Sequence, residues 1–150
     1  MKTISSLFIT AAILLCGNAQ SDDKMKNRKI VHLDPSQLET VEISSVQDYP
    51  FMQVIDGENP LAGGLTSYES ADGQFEVGLS RYSQITLRLR DWPVDEVMYF
   101  LEGQVEITEE DGSSRIYGPG DAIVMPKGFN GTWRQLSPIK KINISYPVGE

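Results

Sequence analysis

Histidine and cysteine are almost absent from this chain of 150 residues, which contains one of each. His32 lies in the short apolar segment IVHL, a predicted opening β-strand. A catalytic triad that depends on histidine therefore has little support. The Gly-x-Ser-x-Gly elbow of many serine hydrolases is also missing. Cys16 lies in the N-terminal apolar stretch, so we predict neither disulfides nor thiol catalysis in the chain after it.

Positive charge is also scarce. The chain has 13 Lys and Arg against 21 Asp and Glu, which gives a net charge of −8 and a pI near 4.6. An acidic surface without a run of basic residues repels phosphate backbones, so we predict no binding to nucleic acid. No glycine-rich phosphate loop precedes a helical pattern, which excludes nucleotide binding by that route.

The chain lacks an apolar run long enough to cross a membrane, which takes about 20 residues. A shorter apolar stretch, residues 4–15, follows Lys2 and precedes the small residues Gly17 and Ala19. This order is typical of a secretory signal peptide with cleavage before Gln20. We therefore predict a signal peptide at residues 1–19, no transmembrane segment in the mature chain, and export to a bacterial periplasm.

Lipidation of Cys16 is the alternative route of processing. Lipoprotein signals usually place a small residue before such a cysteine, whereas Leu15 precedes it here, so simple cleavage is preferred. Residues 20–28 then form a polar, flexible tether. Residues 29–150 form one domain, which is an ordinary domain size.

The rest of the chain alternates between short apolar segments and turn signals. Ile85, Leu87 and Leu89 alternate with polar residues, which is the period of a half-buried strand. Asp111-Gly112 is a hairpin signal between two such segments. The segment DPSQLETVEI gives one helical turn at most. Many short strands at regular intervals predict an all-β sandwich or closed barrel.

Two blocks rich in glycine stand out. The first, DEVMYFLEG, places Glu96 seven positions before Gly103, and the second, GPGDAIVMPKGFNGTW, contains Gly120, Pro126 and Gly128. Glycine adopts positive φ freely, and proline ends a strand, so both blocks indicate strands that close on tight turns.

These blocks resemble the paired motifs of the cupin superfamily, G-x5-H-x-H-x3–4-E-x6-G and G-x5-P-x-G-x2-H-x3-N. The sequence of the two blocks most resembles that of the ethanolamine-utilisation and (S)-ureidoglycine aminohydrolase-like cupins, and the resemblance covers about residues 74–148. The resemblance implies a single cupin-type double-stranded β-helix, or jelly-roll barrel, and it also implies a homodimer.

The metal ligands of the motif are mostly replaced. The histidines of the first motif fall on Arg90 and Trp92, or on Leu89 and Asp91 with the longer spacing. The last histidine and the asparagine fall on Gly131 and Gln135. Of the ligand positions, only Glu96 keeps the residue of the motif, and a transition-metal site needs three or more ligands. We therefore expect no cofactor, although weak binding of a divalent cation such as Mg²⁺, mostly through water, stays open.

The same positions suggest a polar and aromatic pocket. Strand phase predicts that the following residues bind ligand: Arg90, Trp92, Glu96, Trp133 and Gln135. A guanidinium binds carboxylates, and indole faces stack on planar groups, so the predicted ligand is a small polar or carboxylate compound. Two structural alternatives stay open: Arg90 pairs with Glu96 or Asp91, or Trp133 belongs to the core.

Three functions follow from this pattern. The first is an exported small-molecule-binding cupin with a degenerate metal site. The alternative is a metal-dependent or acid–base enzyme that resembles ureidoglycine aminohydrolase and acts on a small amide or amine. In that enzyme Glu96 is the candidate general base, which alone contributes about 10²–10⁴-fold. The third is a structural role in which side chains fill the barrel.

Overall fold

Eleven β-strands form most of residues 29–148, the part of the chain that the computed structural model describes. The strands are β1 (Ser44–Ser45), β2 (Met52–Asp56), β3 (Leu61–Glu69), β4 (Glu76–Tyr82), β5 (Thr86–Leu89), β6 (Asp95–Glu102), β7 (Val105–Glu109), β8 (Ser114–Tyr117), β9 (Ala122–Met125), β10 (Gly131–Gln135) and β11 (Ile139–Tyr146). A single 3-10 helix, Pro35–Glu39, precedes them. The predicted signal peptide, its cleavage site, Cys16 and the tether lie outside the described residues.

The strands form two antiparallel sheets that face each other. The six-stranded sheet has the order β1-β3-β4-β11-β6-β9, and the five-stranded sheet has the order β2-β5-β10-β7-β8. Consecutive strands such as β5 and β6 lie in different sheets, which is the crossing pattern of a jelly roll. The all-β prediction is confirmed.

The core lies between the two sheets and follows the alternation of the sequence. In β6, Glu96, Met98 and Phe100 are buried, while Val97 and Tyr99 are exposed on the other face. Leu87 and Leu89 of β5 face the same core from the opposite sheet. Burial of one such large apolar side chain stabilises the fold by about 1.5–3 kcal/mol.

Two glycines fix turns at the ends of strands. Gly103 has a φ of +81° between β6 and β7, and a side chain there would collide with the carbonyl of Pro138. Gly112 has a φ of +86° in the hairpin between β7 and β8, where the space beside it is open. The predicted Asp111-Gly112 hairpin is therefore confirmed.

The N-terminal segment differs from one prediction. IVHL is not a strand, because it pairs with no strand of residues 29–148 and Ile30 is almost fully exposed. The single helical turn is confirmed: Asp34 caps Pro35–Glu39 by accepting a hydrogen bond from the Ser36 N–H at 3.0 Å. Leu38 in this turn is fully buried.

Between residues 29 and 148, no helix has the length and apolar character needed to span a membrane.

Candidate ligand-binding site

A buried ion pair lies on the inner face of the six-stranded sheet. Lys141 of β11 donates from Nζ to Oε1 of Glu96 on the neighbouring strand β6 at 2.9 Å, and both side chains are less than a tenth exposed. The pair forms because every second residue of β11, including Lys141, faces inward. A buried pair of this kind is retained only where its charges satisfy each other.

Aromatic and sulfur groups complete the surroundings of Lys141. Nζ lies 3.2 Å from Sδ of Met98, and it lies 5.6 Å and 5.9 Å from the ring centres of Trp133 and Tyr82. Both ring distances are within the range of a cation–π contact.

Lys141 remains charged although it is buried. Desolvation lowers the pKa of Lys141, but the nearby Glu96 carboxylate, Tyr82 and the hydrogen bond to Glu96 outweigh it and hold that pKa above its ordinary value. The ammonium is therefore protonated at neutral pH. Burial likewise raises the pKa of the Tyr82 phenol, so its hydroxyl is neutral there.

A cavity of about 40 Å³ lies beside this ammonium, which leaves room for about three or four water-sized groups, each about 10–15 Å³. Its walls are mostly apolar and aromatic, with one amide and one ammonium. The lining residues are Met52, Tyr82, Leu87, Leu89, Trp92, Met98, Met125, Trp133, Gln135 and Lys141. Lys141 is the charged group on this wall, and Glu96 lies behind it.

The two indoles of the cavity differ in their hydrogen bonds. With the Gln135 amide oriented to satisfy its neighbours, it donates to the Ser83 carbonyl at 2.6 Å and accepts from the Trp133 indole N–H at 3.2 Å. The buried indole N–H of Trp92 has no acceptor among residues 29–148. Trp92 therefore brings an unused donor to the wall of the cavity.

Further buried polar groups extend from the ion pair along the inner face of the same sheet. Ser145 of β11 pairs in register with Glu96 on one side and with Glu76 of β4 on the other. Asn143 accepts a hydrogen bond from the Ser80 hydroxyl at 3.2 Å. The inner face of the six-stranded sheet is thus the polar side of the barrel, while the opposing sheet contributes mainly apolar residues.

The structure brings together four of the five residues proposed from the sequence. Trp92, Trp133 and Gln135 line the cavity, and Glu96 contacts it through Lys141. Arg90 is exposed and lies outside the lining, because Leu87 and Leu89 take the inward positions of β5.

The alternative pairing of Arg90 with Glu96 is also wrong. The cation that bonds Glu96 is Lys141, which the sequence analysis missed. The available signal was the alternation in IKKINISY, which places a lysine among inward-facing residues.

The residues at the cavity do not fit the transition metal of the cupin motif. Within residues 29–148, no three His, Cys, Asp or Glu side chains are grouped closely enough to hold a metal ion. Glu96, the one retained ligand type, already bonds an ammonium, and the inward residue of β5 at the ligand position is Leu89. The chemistry available here is hydrogen bonding and aromatic contact.

Comparison with known families agrees with this fold. Residues 69–142 match the EutQ-like cupin domain. No protein of curated function matches the chain.

Solved structures share the same architecture at low sequence identity. A protein of unknown function from Pseudomonas syringae pv. tomato, of the DUF861 family, has a TM-score of 0.62 and 21% identity over 70% of this chain. The chain covers 43% of that protein. The EutQ protein of Clostridium difficile has a TM-score of 0.52 and 18% identity, over 63% of this chain and 75% of that one. A Salmonella typhimurium protein described provisionally as ethanolamine utilisation protein Q has a TM-score of 0.51 and 18% identity. The match covers 73% of this chain and 97% of that protein. At these identities the similarity concerns the fold.

Proposed function

We propose that this chain binds a small polar molecule inside its barrel. Residues 69–142 match an EutQ-like cupin domain, which confirms the resemblance to the cupin superfamily and its EutQ-like subfamily. The observation that carries the proposal is the ammonium of Lys141, buried and charged at the wall of the cavity. A cavity that is mostly apolar with a few placed polar groups is typical of a small-molecule site.

The polar groups of the cavity specify an acceptor oxygen on the ligand. Lys141 and Trp92 are both donors, and Glu96 and Met98 use only two of the three hydrogens of the Lys141 ammonium. A carbonyl or carboxylate oxygen satisfies such donors, whereas a protonated amine offers no acceptor and is repelled by Lys141. Amides and carboxylates are therefore the expected ligand classes.

The charge balance of the pair separates these two classes. Glu96 already neutralises Lys141, so a carboxylate adds one uncompensated charge to a buried site, while an amide adds none. The volume of about 40 Å³ limits the enclosed part of the ligand to a few non-hydrogen atoms. Acetamide and acetate are the matched probes of this size.

A thermal-shift titration tests the proposal with acetamide, acetate and ethylammonium. The matched control is the double variant Lys141→Met/Glu96→Gln, which removes both charges together and keeps side chains of similar length. Acetamide is expected to stabilise the parent protein by about 1.4 kcal/mol at ten times its dissociation constant, with no effect on the double variant. Acetate at the same concentration is expected to stabilise the parent less, because its charge has no partner in the cavity. Equal stabilisation by ethylammonium, or stabilisation of the double variant, contradicts the proposal.

The geometry gives no comparable support to acid–base catalysis by Glu96. Its carboxylate is bonded to Lys141 and lies behind the cavity wall. The proposal is therefore limited to binding, and export to a periplasm stays a prediction from the sequence.

A further inference from the structure

A groove of about 270 Å³ lies on the protein surface, at the end of β4 and the beginnings of β3 and β11. It is a separate space from the cavity inside the barrel, because within residues 29–148 only Tyr82 lines both. Much of its wall is apolar and consists of Ile43, Leu61, Pro138 and Ile139. The groove is therefore a second candidate for a ligand site.

The charged side chains of the groove favour an anion. Among the described residues, Arg81, Lys140 and Glu102 are the charged ones that line it. They lie in one row across the sheet, because Lys140 of β11 pairs in register with Arg81 on one side and with Glu102 on the other. The lining thus carries one net positive charge, although the whole chain carries −8. A negatively charged ligand is attracted to such a groove.

The two cations of the groove differ in what they bond. Nζ of Lys140 donates to Oε1 of Glu39 and, at 3.1 Å, to Oε1 of Glu102, so its charge is already balanced. The half-buried guanidinium of Arg81 has no hydrogen-bonded partner between residues 29 and 148. Glu39 is near enough to interact with the charge of Arg81, but it bonds Lys140 instead. Arg81 is therefore the cation that is left for a ligand.

A second donor lies beside this guanidinium. The hydroxyl oxygen of Ser83 accepts a hydrogen bond from the Leu61 N–H at 2.7 Å, and its own hydrogen is donated to no residue that the structure describes. Residues two apart point to the same side of an extended chain, and both Arg81 and Ser83 line the groove. The groove thus offers two unused donors next to an apolar wall.

We propose that this groove, hereafter the Arg81 groove, binds a monocarboxylate that carries a short apolar chain. The guanidinium of Arg81 forms two parallel hydrogen bonds with a carboxylate, and the Ser83 hydroxyl donates a third. The apolar chain lies along Ile43, Leu61 and Ile139. Because Ile43 is 40% exposed, a bound chain removes apolar surface from water. Acetate has no such chain, so it is a poor ligand for the Arg81 groove.

An NMR titration of the ¹⁵N-labelled full chain with sodium hexanoate, at constant ionic strength, tests this proposal. Hexanamide is the matched neutral ligand, because it has the same chain and the same number of non-hydrogen atoms. Both are larger than the cavity of about 40 Å³ encloses. Hexanoate is expected to shift the amide signals of Arg81, Ser83 and Lys140, and hexanamide to bind at least about 10-fold more weakly, since charge-assisted hydrogen bonds are roughly twice as strong as neutral ones.

Arginine variants locate the carboxylate. Arg81→Gln is expected to raise the dissociation constant of hexanoate by at least about 10-fold, because the guanidinium fork is lost. Arg81→Lys keeps the charge without the fork, so its dissociation constant is expected to lie between those of the parent and Arg81→Gln. Arg88→Gln is the matched control, since Arg88 is an exposed arginine on β5 of the other sheet, and it is expected to bind hexanoate as the parent does.

The double variant Lys141→Met/Glu96→Gln separates the Arg81 groove from the cavity inside the barrel. It is expected to bind hexanoate with the affinity of the parent. Loss of hexanoate binding in this double variant assigns the carboxylate to the barrel and contradicts the proposal. Equal binding of hexanoate and hexanamide, equal affinities of Arg81→Gln and Arg88→Gln, or no shift of the three amide signals at any soluble concentration also contradicts it.

Discussion

Lys141 carries its charge on the inner face of a strand whose other inward residues are Ile139, Asn143 and Ser145. Its ammonium is held by Glu96 at 2.9 Å and faces the rings of Trp133 and Tyr82. Replacing one member of such a pair leaves the other charged and buried, whereas replacing both leaves neutral groups that pack. This asymmetry gives the first prediction.

Lys141→Met alone is expected to lower the free energy of unfolding by about 3–5 kcal/mol, because Glu96 is then buried without its cation. The double variant Lys141→Met/Glu96→Gln is expected to recover most of that loss. Urea denaturation of the two variants and the parent measures the difference. If the single and double variants are equally stable, Glu96 and Lys141 do not form a buried ion pair whose charges depend on each other.

Alkaline pH is expected to weaken the fold through the same residues. The folded-state pKa of Lys141 and that of Tyr82 are both raised, so the folded protein binds more protons than the unfolded chain above about pH 10. Their contribution to stability is complete below that pH and is lost as pH rises through the raised values. Denaturation at pH 8 to 11 is expected to show a steeper decline for the parent than for Lys141→Met/Glu96→Gln. If the stability of both proteins declines equally with pH, the Lys141–Glu96 pair does not cause the alkaline loss of stability.

Residue-level prediction from the sequence succeeded where strand phase alone decided the outcome. Glu96, Trp133 and Gln135 all face inward as their alternation indicates. Arg90 was misplaced because the shorter motif spacing puts it at a histidine position, whereas the alternation of Leu87 and Leu89 with polar residues puts position 90 on the outward side of the strand. Lys141 was missed because a lysine in a strand is ordinarily solvated, and its inward position depends on the register of β11 against β6.

At the scale of elements, turns set how β6 and β7 join the two sheets. Gly103 links these strands with positive φ and lies against the carbonyl of Pro138. The turn was visible in the sequence as a glycine after an apolar run. Its contact with Pro138 was not, because that segment lies more than thirty residues further along the chain.

Substitution of Gly103 by alanine is expected to cost at least about 2 kcal/mol of unfolding free energy. Positive φ costs alanine about 1–2 kcal/mol, and the collision with Pro138 adds to it. Gly112→Ala is the matched control, since its φ is also positive but nothing lies near its missing side chain. Thermal or urea melts compare the two; an equal loss would show that the contact with Pro138 does not matter.

Element prediction failed for IVHL for a related reason. Its residue types favour a strand, but a strand needs a partner, and the sheet begins instead at Ser44–Ser45 beside β3. The strands of the core were predictable because their alternation matches burial on one face. The order of the strands in the two sheets was not, since it depends on pairings between distant segments.

The whole molecule combines a polar inner face on one sheet with an apolar outer face on the same sheet. The inner face holds Lys141 and Glu96, and the outer face exposes apolar side chains such as Val97 and Tyr99. The strand β11 contributes to both, with Lys141 inward and Ile142 and Ile144 outward.

Processing of the N-terminus is a prediction for the whole chain. Mass spectrometry of the protein secreted by a bacterial host is expected to find a mature chain that begins at Gln20, because Gly17 and Ala19 suit cleavage after residue 19. Export then delivers a chain without cysteine. A mature chain that begins at Cys16 and carries lipid would establish the alternative route.

A crystal structure of the protein soaked with acetamide shows whether the cavity beside Lys141 binds a ligand. Acetamide is expected in the cavity of about 40 Å³, with its oxygen about 2.8–3.0 Å from Nζ of Lys141. The parallel soak of Lys141→Met/Glu96→Gln is expected to show no acetamide there. Acetamide that binds only elsewhere in the parent protein, or that fills the same cavity equally in the double variant, would contradict the claim that Lys141 makes this barrel a binding site.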